Sequence, residues 1–140
     1  MTVGVKRALA LLCASLLGVG LAACGNTVST SFKGESHDVA QTISNLQTDA
    51  TAGSDQKICT NDLASALVAR LSSAGGGCTQ AIKNQLGEVD NFEVKVQSIQ
   101  VNSRGQEATA QVRSIYSGKT HPGTLVLVKE GGKWKISGLQ

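Results

Sequence analysis

The hydrophobic periodicity of this chain changes once, close to Gly87, and this change restricts the fold more than any other feature. Before it, Val39, Ile43, Leu46 and Ala50 recur at offsets of 0, 4, 7 and 11, which places them on one face of a helix. After it, apolar and polar residues alternate with a period of two, as they do in half-buried strands. Helices followed by hairpin-linked strands predict an α+β domain.

The N-terminal part of the domain is predicted to form three helices. The first begins after Ser36, whose hydroxyl suits an N-cap, and ends at Gly53. The second begins at Thr60 or Asn61 and ends before a run of three glycines. The third covers residues 79–86, so the helical half of the domain ends just before the periodicity changes.

The C-terminal part is predicted to form four antiparallel strands. In the first strand the apolar phase slips by one residue, which indicates a β-bulge near Gln97 and Ser98. Residues 117–123 are interpreted as a loop between the second and third strands. The third strand, residues 124–128, is apolar on both faces, as a central strand is. Residues 130–133 are predicted to form the hairpin turn before the last strand.

The first 23 residues have the three parts of a bacterial export signal. Lys6 and Arg7 supply the positive charges, and the 16 residues that follow them, 8–23, are apolar or small. This run is shorter than the ~20 residues that a membrane-spanning helix needs. Residues 1–23 are therefore predicted to be a signal peptide that is removed.

The Leu-Ala-Ala-Cys sequence at residues 21–24 resembles the lipobox of bacterial lipoproteins. In that family the cysteine thiol receives a diacylglyceryl group, and the peptide bond before it is then cleaved. The resemblance implies that Cys24 carries a lipid anchor with acyl chains such as palmitate, on the extracytoplasmic side of the cell membrane. An ordinary secretory signal cut after Ala22 is the alternative. Residues 24–36 are then the lipidated cysteine and a flexible tether of mostly small, polar residues.

The exported chain is close to electrically neutral. Loss of Lys6 and Arg7 lowers the formal net charge from +3 to +1. The remaining basic residues are scattered, and aromatic residues make up only 3% of the sequence, so few side chains could stack on bases. This pattern argues against a nucleic-acid partner.

Two cysteines remain in the exported chain besides Cys24. Cys59 and Cys78 reach an oxidising compartment, where thiols rarely stay reduced, so they are predicted to form a disulfide. Closing the 19-residue separation would stabilise the fold by ~3 kcal/mol. Two free thiols are the alternative. No His lies nearby to complete a zinc site and no base is adjacent to activate a thiol, so no metal, cofactor or catalytic cysteine is predicted.

The end of the chain carries a second resemblance. Residues 126–139 read Val-Leu-Val-Lys-Glu-Gly-Gly-Lys-Trp-Lys-Ile-Ser-Gly-Leu. This hairpin resembles the last two strands of the nuclear transport factor two-like, or SnoaL-like, fold, which is also grouped with cystatin-like folds. The resemblance covers residues 37–140 and is strongest to small actinobacterial lipoproteins in which two cysteines staple the helices. It implies three N-terminal helices packed on a curved, cone-like four-stranded antiparallel sheet.

Enzymes of the fold family that this chain resembles use an Asp, His or Tyr inside the cone as an acid or base. The residues of that kind near predicted element ends are His37, Glu88, Asp90, Tyr116 and His121. The two histidines are interpreted as solvated polar residues and the two acids as part of a solvated turn. Tyr116 is expected to pack at the rim of the sheet with its hydroxyl in water. No catalytic residue is therefore assigned.

The leading hypothesis is a non-catalytic envelope domain that binds a protein partner or a small apolar ligand. The alternative is a small SnoaL-like enzyme or apolar-ligand-binding protein that uses the cone cavity. Trp134 is interpreted as a core residue between sheet and helices. The two hypotheses differ in the space between the sheet and the Val39–Ile43–Leu46 face of the first helix. A non-catalytic domain should have a small apolar pocket there with no buried ionisable group.

Overall fold

The computed structural model describes residues 31–87, 89 and 91–140, and within them helices precede a single sheet. The α+β prediction is confirmed, because the helices pack against a four-stranded antiparallel sheet with the strand order β1-β2-β3-β4. The elements are α1 (Glu35–Thr51), α2 (Asp55–Lys57), a π-helical turn (Ile58–Asp62), α3 (Ser65–Ser73), α4 (Gly77–Leu86), β1 (Glu93–Val101), β2 (Glu107–Tyr116), β3 (Lys119–Glu130) and β4 (Lys133–Leu139).

The hydrophobic core lies between one face of the sheet and the helices. α1 contributes the buried residues Val39 and Ile43, because their spacing keeps them on the same side of the helix. Leu46 and Ala50, on the same face, are partly buried against this core. Each strand contributes alternate residues, as the period of two predicts. The buried apolar strand residues are Val94, Ala108, Ala110, Val112, Leu125, Leu127, Trp134 and Ile136.

The predicted bulge in β1 is confirmed. Val96 and Ser98 pair with neighbouring residues of β2, so Gln97 is the extra residue. In a strand, inserting one residue moves every later side chain to the opposite face of the sheet. The insertion therefore returns Ile99 and Val101 to the core face, where both are packed against the buried cluster.

The prediction of a loop at residues 117–123 is wrong, because β2 and β3 continue almost to the tip of the hairpin that they form. Ser117 and Gly118 have positive φ angles of 51° and 69°. Two such residues form the type I′ turn that joins strands without a longer loop. Pro122 lies within β3 but beyond Leu125, the first β3 residue that pairs with β4. β3 is therefore an edge strand at this proline, where a missing amide donor is tolerated.

The first helix begins earlier than predicted. α1 starts at Glu35 rather than after Ser36, because the residue that precedes it is a glycine in the left-handed region. Gly34 has a φ angle of 58°, and its carbonyl accepts a hydrogen bond from the amide of His37 at 2.9 Å. A glycine adopts this conformation without the steric cost that a Cβ atom imposes, so the helix begins without a side-chain cap.

The second long helix begins later than predicted, at Ser65 rather than at residue 60 or 61. Leu63 is extended and forms an isolated parallel bridge with Ile136 of β4. This pairing is made between distant parts of the chain, and it ends the π-helical turn. The carboxylate of Glu130 then accepts hydrogen bonds from the amide and hydroxyl of Ser65, at 3.1 and 2.9 Å. An acid at this position satisfies the free amide donor at the start of α3.

A disulfide joins Cys59 to Cys78, with the sulfur atoms 2.03 Å apart and the Cα atoms 6.1 Å apart. Cys59 lies in the π-helical turn and Cys78 in the first turn of α4, so the bridge brackets α3. In the part of the chain that the structure describes, no helix is long and apolar enough to cross a membrane. The predicted signal peptide, residues 1–23, and the predicted lipidation site, Cys24, lie outside the described residues.

Candidate functional site

A polar cleft lies between α1 and the beginning of β4, where the π-helical turn ends. Its volume is about 400 Å³, which falls within the roughly 300–1,000 Å³ typical of ligand sites. Two other depressions, of about 380 Å³ each, have no buried ionisable side chain in their lining. The residues that line the cleft are Asp38, Gln41, Thr42, Asn45, Asn61, Asp62, Gly132, Lys133, Trp134 and Lys135.

One wall of the cleft is a row of polar side chains on α1. Asp38, Gln41, Thr42 and Asn45 follow one another at the three- and four-residue spacing that places side chains on one helix face. The hydroxyl oxygen of Thr42 lies 3.1 Å from the carbonyl of Asp38 and 3.4 Å from that of Trp134. Its single proton is therefore shared between helix and strand, and this holds the two walls together.

The opposite wall includes Trp134 of β4, which is held in place by the charged side chains of Glu35 and Lys129. The Glu35 carboxylate accepts a hydrogen bond from Trp134 Nε1 at 2.7 Å and forms an ion pair with Lys129 at 2.6 Å. The Lys129 ammonium group also lies 5.4 Å from the centre of the Trp134 ring, within range of a cation–π interaction. The hydrogen bond from Lys129, and then that from Trp134, lowers the pKa of Glu35. These contacts set the orientation of the indole beside the cleft.

The inner end of the cleft contains a buried carboxyl group, that of Asp62. This residue ends the π-helical turn and is 3% exposed, and no donor group of the described residues bonds its enclosed Oδ2 atom. Burial, then the charge of Asp49 and a hydrogen bond with that side chain, together raise the pKa of Asp62 to about 6. Lys135 acts in the opposite direction but does not cancel these effects.

Lys135 is held by the backbone of the π-helical turn. Its ammonium group donates hydrogen bonds to the carbonyl oxygens of Thr60 and Asn61. These carbonyls end a helical turn and lack partners within it, so a cation is favourable there. Lys135 therefore fixes the segment that carries Asp62.

The pocket expected from the sequence is not the one observed. Val39 and Ile43 are packed in the core with the apolar side chains of the sheet. The cleft lies instead on the neighbouring face of α1, and it has the buried ionisable group that was not expected. No sequence signal marked Asp62, since the pattern placed residues 60–71 in one helix and drew attention to its apolar positions.

The structure brings together two of the residues considered as acids or bases. Tyr116 at the end of β2 and His121 in β3 stack with their ring centroids 4.0 Å apart and their planes 12° apart. Both are half-buried, and neither is among the residues that line the cleft. His37 is half-buried in the first turn of α1, also outside the lining. Glu88 and Asp90 lie outside the described residues.

Trp134 is both a core residue and part of the cleft wall. It is 4% exposed and belongs to the buried cluster, as its interpretation as a packing residue requires. The three glycines at residues 75–77 all have positive φ angles and follow the end of α3, and the last of them is the first residue of α4. Within residues 31–87, 89 and 91–140, no group of three or more His, Cys, Asp or Glu side chains could hold a metal ion.

Comparisons with known proteins give a likeness of fold. No protein-family model and no curated protein matches the chain. A solved structure that is similar is that of a designed protein of the nuclear transport factor two-like class, a variant of Rd1NTF2_05 with five substitutions. The sequence identity is 21% and the TM-score 0.48, and the match covers 75% of this chain and 97% of that one.

Proposed function

We propose that this chain is a lipid-anchored protein of a bacterial cell envelope whose exported domain binds a polar ligand in the α1–β4 cleft without catalysing a reaction. The lipobox-like sequence that ends at Cys24 supports the anchor. α1 begins at Glu35, and the chain between these two residues spans at most about 40 Å. The cleft opens beside the start of α1, so such an anchor keeps it close to the membrane surface.

The observation that carries the proposal of a binding site is the polar lining of a cleft of about 400 Å³, which includes the buried carboxyl group of Asp62. Titratable groups whose pKa is shifted by burial and by a neighbouring charge are found preferentially at functional sites. The lining of the cleft is mostly amide, hydroxyl and charged side chains. Such a lining favours a ligand with several hydrogen-bonding groups over the small apolar ligand expected from the sequence.

The same lining supports binding rather than catalysis. Among the described residues that line the cleft there is no His, Tyr or Cys that could act as a nucleophile or as the partner of a nucleophile. The carboxyl group of Asp62 is hydrogen-bonded to another carboxyl group, that of Asp49, rather than to a side chain that it could activate. The groups present can hold and orient a ligand.

The sole tryptophan gives a direct test, because Trp134 lines the cleft. Panels of polar metabolites and short peptides should be screened by Trp134 fluorescence and by the rise in melting temperature that a ligand produces. Asn45→Ala should weaken the binding of any true cleft ligand. Asn84→Ala is the matched control, since both asparagines accept a hydrogen bond from a glutamine four residues earlier on a helix, and only Asn45 lines the cleft.

Two results would contradict this function. A ligand that binds the Asn45→Ala variant as tightly as the unsubstituted protein occupies some other site. A ligand that is converted to a product shows that the domain is an enzyme.

A small SnoaL-like enzyme remains the second candidate function, and one observation favours it. A carboxyl group with a pKa of about 6 exchanges protons efficiently near neutral pH, as a general acid or base must. In that case Asp62→Asn should abolish turnover of a cleft ligand while leaving its binding measurable. Unchanged turnover in this variant would exclude Asp62 as the acid or base.

A further inference from the structure

The core of the domain holds α3 only weakly. None of the nine residues of this helix is buried, whereas α1 has four buried residues and α4 has two. The residues that follow α3 continue this pattern, so no side chain is buried over residues 65–77. Most of the stability of a helix in a protein comes from packing, and a helix of this length is marginal by itself in water. α3 therefore depends on the few contacts that it makes with the sheet.

Two polar contacts tie α3 to β3 and β4, and both are exposed to solvent. At the first residue, the Ser65 amide donates a hydrogen bond to the Glu130 carboxylate at 3.1 Å. Near the other end, Arg70 Nη2 donates a hydrogen bond to the carbonyl oxygen of Ser137 at 2.8 Å. The apolar contacts with the core come from three side chains that are only partly buried, Leu67, Val68 and Leu71. Water competes for exposed hydrogen bonds of this kind, so they stabilise the closed position of α3 only modestly.

The chain on either side of α3 is held more firmly. Ala64 is fully buried, and its amide donates a hydrogen bond to the carbonyl oxygen of Ile136 at 2.8 Å. After α3, Cys78 is buried in the first turn of α4, and its disulfide with Cys59 ties that turn to the π-helical turn. The disulfide therefore joins the two borders of the weakly held segment, so the segment can detach while its neighbours stay in place.

The glycines at residues 75–77 provide a hinge at the C-terminal border of α3. Their φ angles are 96°, 80° and 84°. A Cβ atom at Gly75 or Gly77 would meet no other atom within 4 Å, so the backbone can turn here without displacing packed atoms. Hinges are short segments that absorb changes of φ and ψ in this way.

We propose that α3 is a cover that detaches from β4 and unfolds as one unit, over residues 65–77, while the rest of the domain stays folded. Folded proteins make such local openings at a free energy below that of global unfolding. Opening breaks the hydrogen bond from Arg70 to Ser137 and exposes the apolar side chains against which α3 packs. The opening lies beside the end of β4, because Arg70 Nη2 is 4.0 Å from the Cβ position of Gly138, and the next residue, Leu139, is already 70% exposed. α3 therefore controls access to the apolar core beside β4, independently of any ligand in the α1–β4 cleft.

Hydrogen exchange followed by mass spectrometry tests this proposal on the purified full chain in mild detergent. The amides of residues 68–74 should exchange about a hundredfold or more faster than those of residues 39–50 in α1. Their exchange should change little in low concentrations of urea, because a local opening exposes little surface. Residues 81–86 of α4 should remain protected, since the disulfide holds the start of that helix.

Arg70→Ala tests the contact that closes the cover. Alanine has a slightly higher helix propensity than arginine, so faster exchange in this variant reports the lost contact with Ser137. Exchange over residues 68–74 should become about three- to tenfold faster, as the loss of one exposed hydrogen bond from a charged group implies, with no change in α1. Arg113→Ala is the matched control, because Arg113 is exposed on β2 and makes no hydrogen bond or ion pair within the described residues. It should leave the exchange of α3 unchanged.

Limited digestion with trypsin provides a second readout that needs no variant. Proteolysis of a folded protein proceeds through segments that open. Within residues 35–140 the first cut should therefore follow Arg70 rather than Arg104, which is exposed in the turn between β1 and β2. The two parts should separate only after reduction, because the cut lies within the ring that the Cys59–Cys78 disulfide closes.

Four results would overturn this inference. If α3 and α1 exchange at the same rate and with the same dependence on urea, α3 opens only when the whole domain unfolds. If Arg70→Ala accelerates exchange equally in α1 and α3, Arg70 contributes to general stability and does not close a cover. If α4 loses its protection together with α3, the opening is not bounded at the glycines. A first cut elsewhere within residues 35–140 shows that another segment opens more readily.

Discussion

Replacement of Asp62 by Asn should stabilise the domain, and it should do so only above about pH 4. The pKa of this carboxyl group is raised from 3.8 to about 6 in the folded protein, so the folded state binds the proton more tightly than the unfolded state does. Below pH 3.8 the Asp62 carboxyl is protonated in both the folded and the unfolded state, so its burial imposes no charge penalty on folding. Between pH 3.8 and about 6 the unfolded state loses this proton while the folded state keeps it, so the free energy of unfolding falls, and above about 6 both states are ionised and the loss is complete.

The size of this effect follows from the shift. A difference of about 2 pKa units corresponds to about 3 kcal/mol, at 1.36 kcal/mol per unit. The side-chain amide introduced by Asp62→Asn has nearly the shape of the carboxyl group without its charge. The variant should therefore gain up to about 3 kcal/mol over the unsubstituted protein at pH 8, and the gain should shrink towards zero at pH 4.

Urea denaturation at several pH values between 4 and 8, followed by Trp134 fluorescence, measures this difference. With the slopes usual for small domains, a gain of about 3 kcal/mol moves the midpoint by about 1–3 M urea. Asp38→Asn is the control, because it removes an exposed carboxyl group from the same cleft. A variant that is less stable than the unsubstituted protein at pH 8, or a gain that is equal at every pH, would refute the assignment of a buried carboxyl group with a raised pKa to Asp62.

Three further predictions test other parts of the molecule. Cys24→Ala should abolish incorporation of a labelled fatty acid and release the protein from the membrane fraction, and persistent labelling would refute the lipid anchor. Replacing both Cys59 and Cys78 by Ser should lower the free energy of unfolding by ~3 kcal/mol. The replacement should also weaken cleft binding, because the disulfide holds the turn that carries Asp62. An unchanged urea midpoint would contradict this prediction. Trp134→Ala should cost ~3–5 kcal/mol as a buried aromatic side chain is removed. Trp134→Phe should lower the free energy of unfolding less than Trp134→Ala, since it keeps an aromatic ring in the core and loses only the hydrogen bond to Glu35. If the two variants lower the urea midpoint equally, a packing role for Trp134 is refuted.

The parts of the fold that the sequence predicted are those set by neighbouring residues. The bulge at Gln97 was visible because a bulge shifts the apolar phase of the strand that contains it. The central position of β3 was visible because both of its faces are apolar over residues 124–128. In each case the pattern that specifies the structure lies within the element itself.

The parts that the sequence did not predict depend on distant pairings. Residues 117–123 contain glycine and proline and therefore resemble a loop. Residues 119–123 form strand because β2 is long enough to pair with them and because β4 ends before it reaches Pro122. The start of α3 was also misplaced, because Leu63 is held extended by Ile136, which lies more than 70 residues away. Helical periodicity continues through this segment and contains no sign of the bridge.

The candidate site was not predicted from the sequence, because it too depends on contacts between residues that are distant in the chain. Its residues form no sequence motif. Asp62 is unusual only because Asp49 lies beside it, the core covers it, and Lys135 is bound to the adjacent carbonyls. Each of these residues is ordinary in its own segment, as an acid or base with polar neighbours. Their combination arises from the bridge of Leu63 to β4 and from the disulfide at Cys59, which together place the end of the π-helical turn against α1. A binding group made in this way is specified by the packing of three elements, so a variant that shifts the turn should alter Asp62 as effectively as a substitution of Asp62 itself.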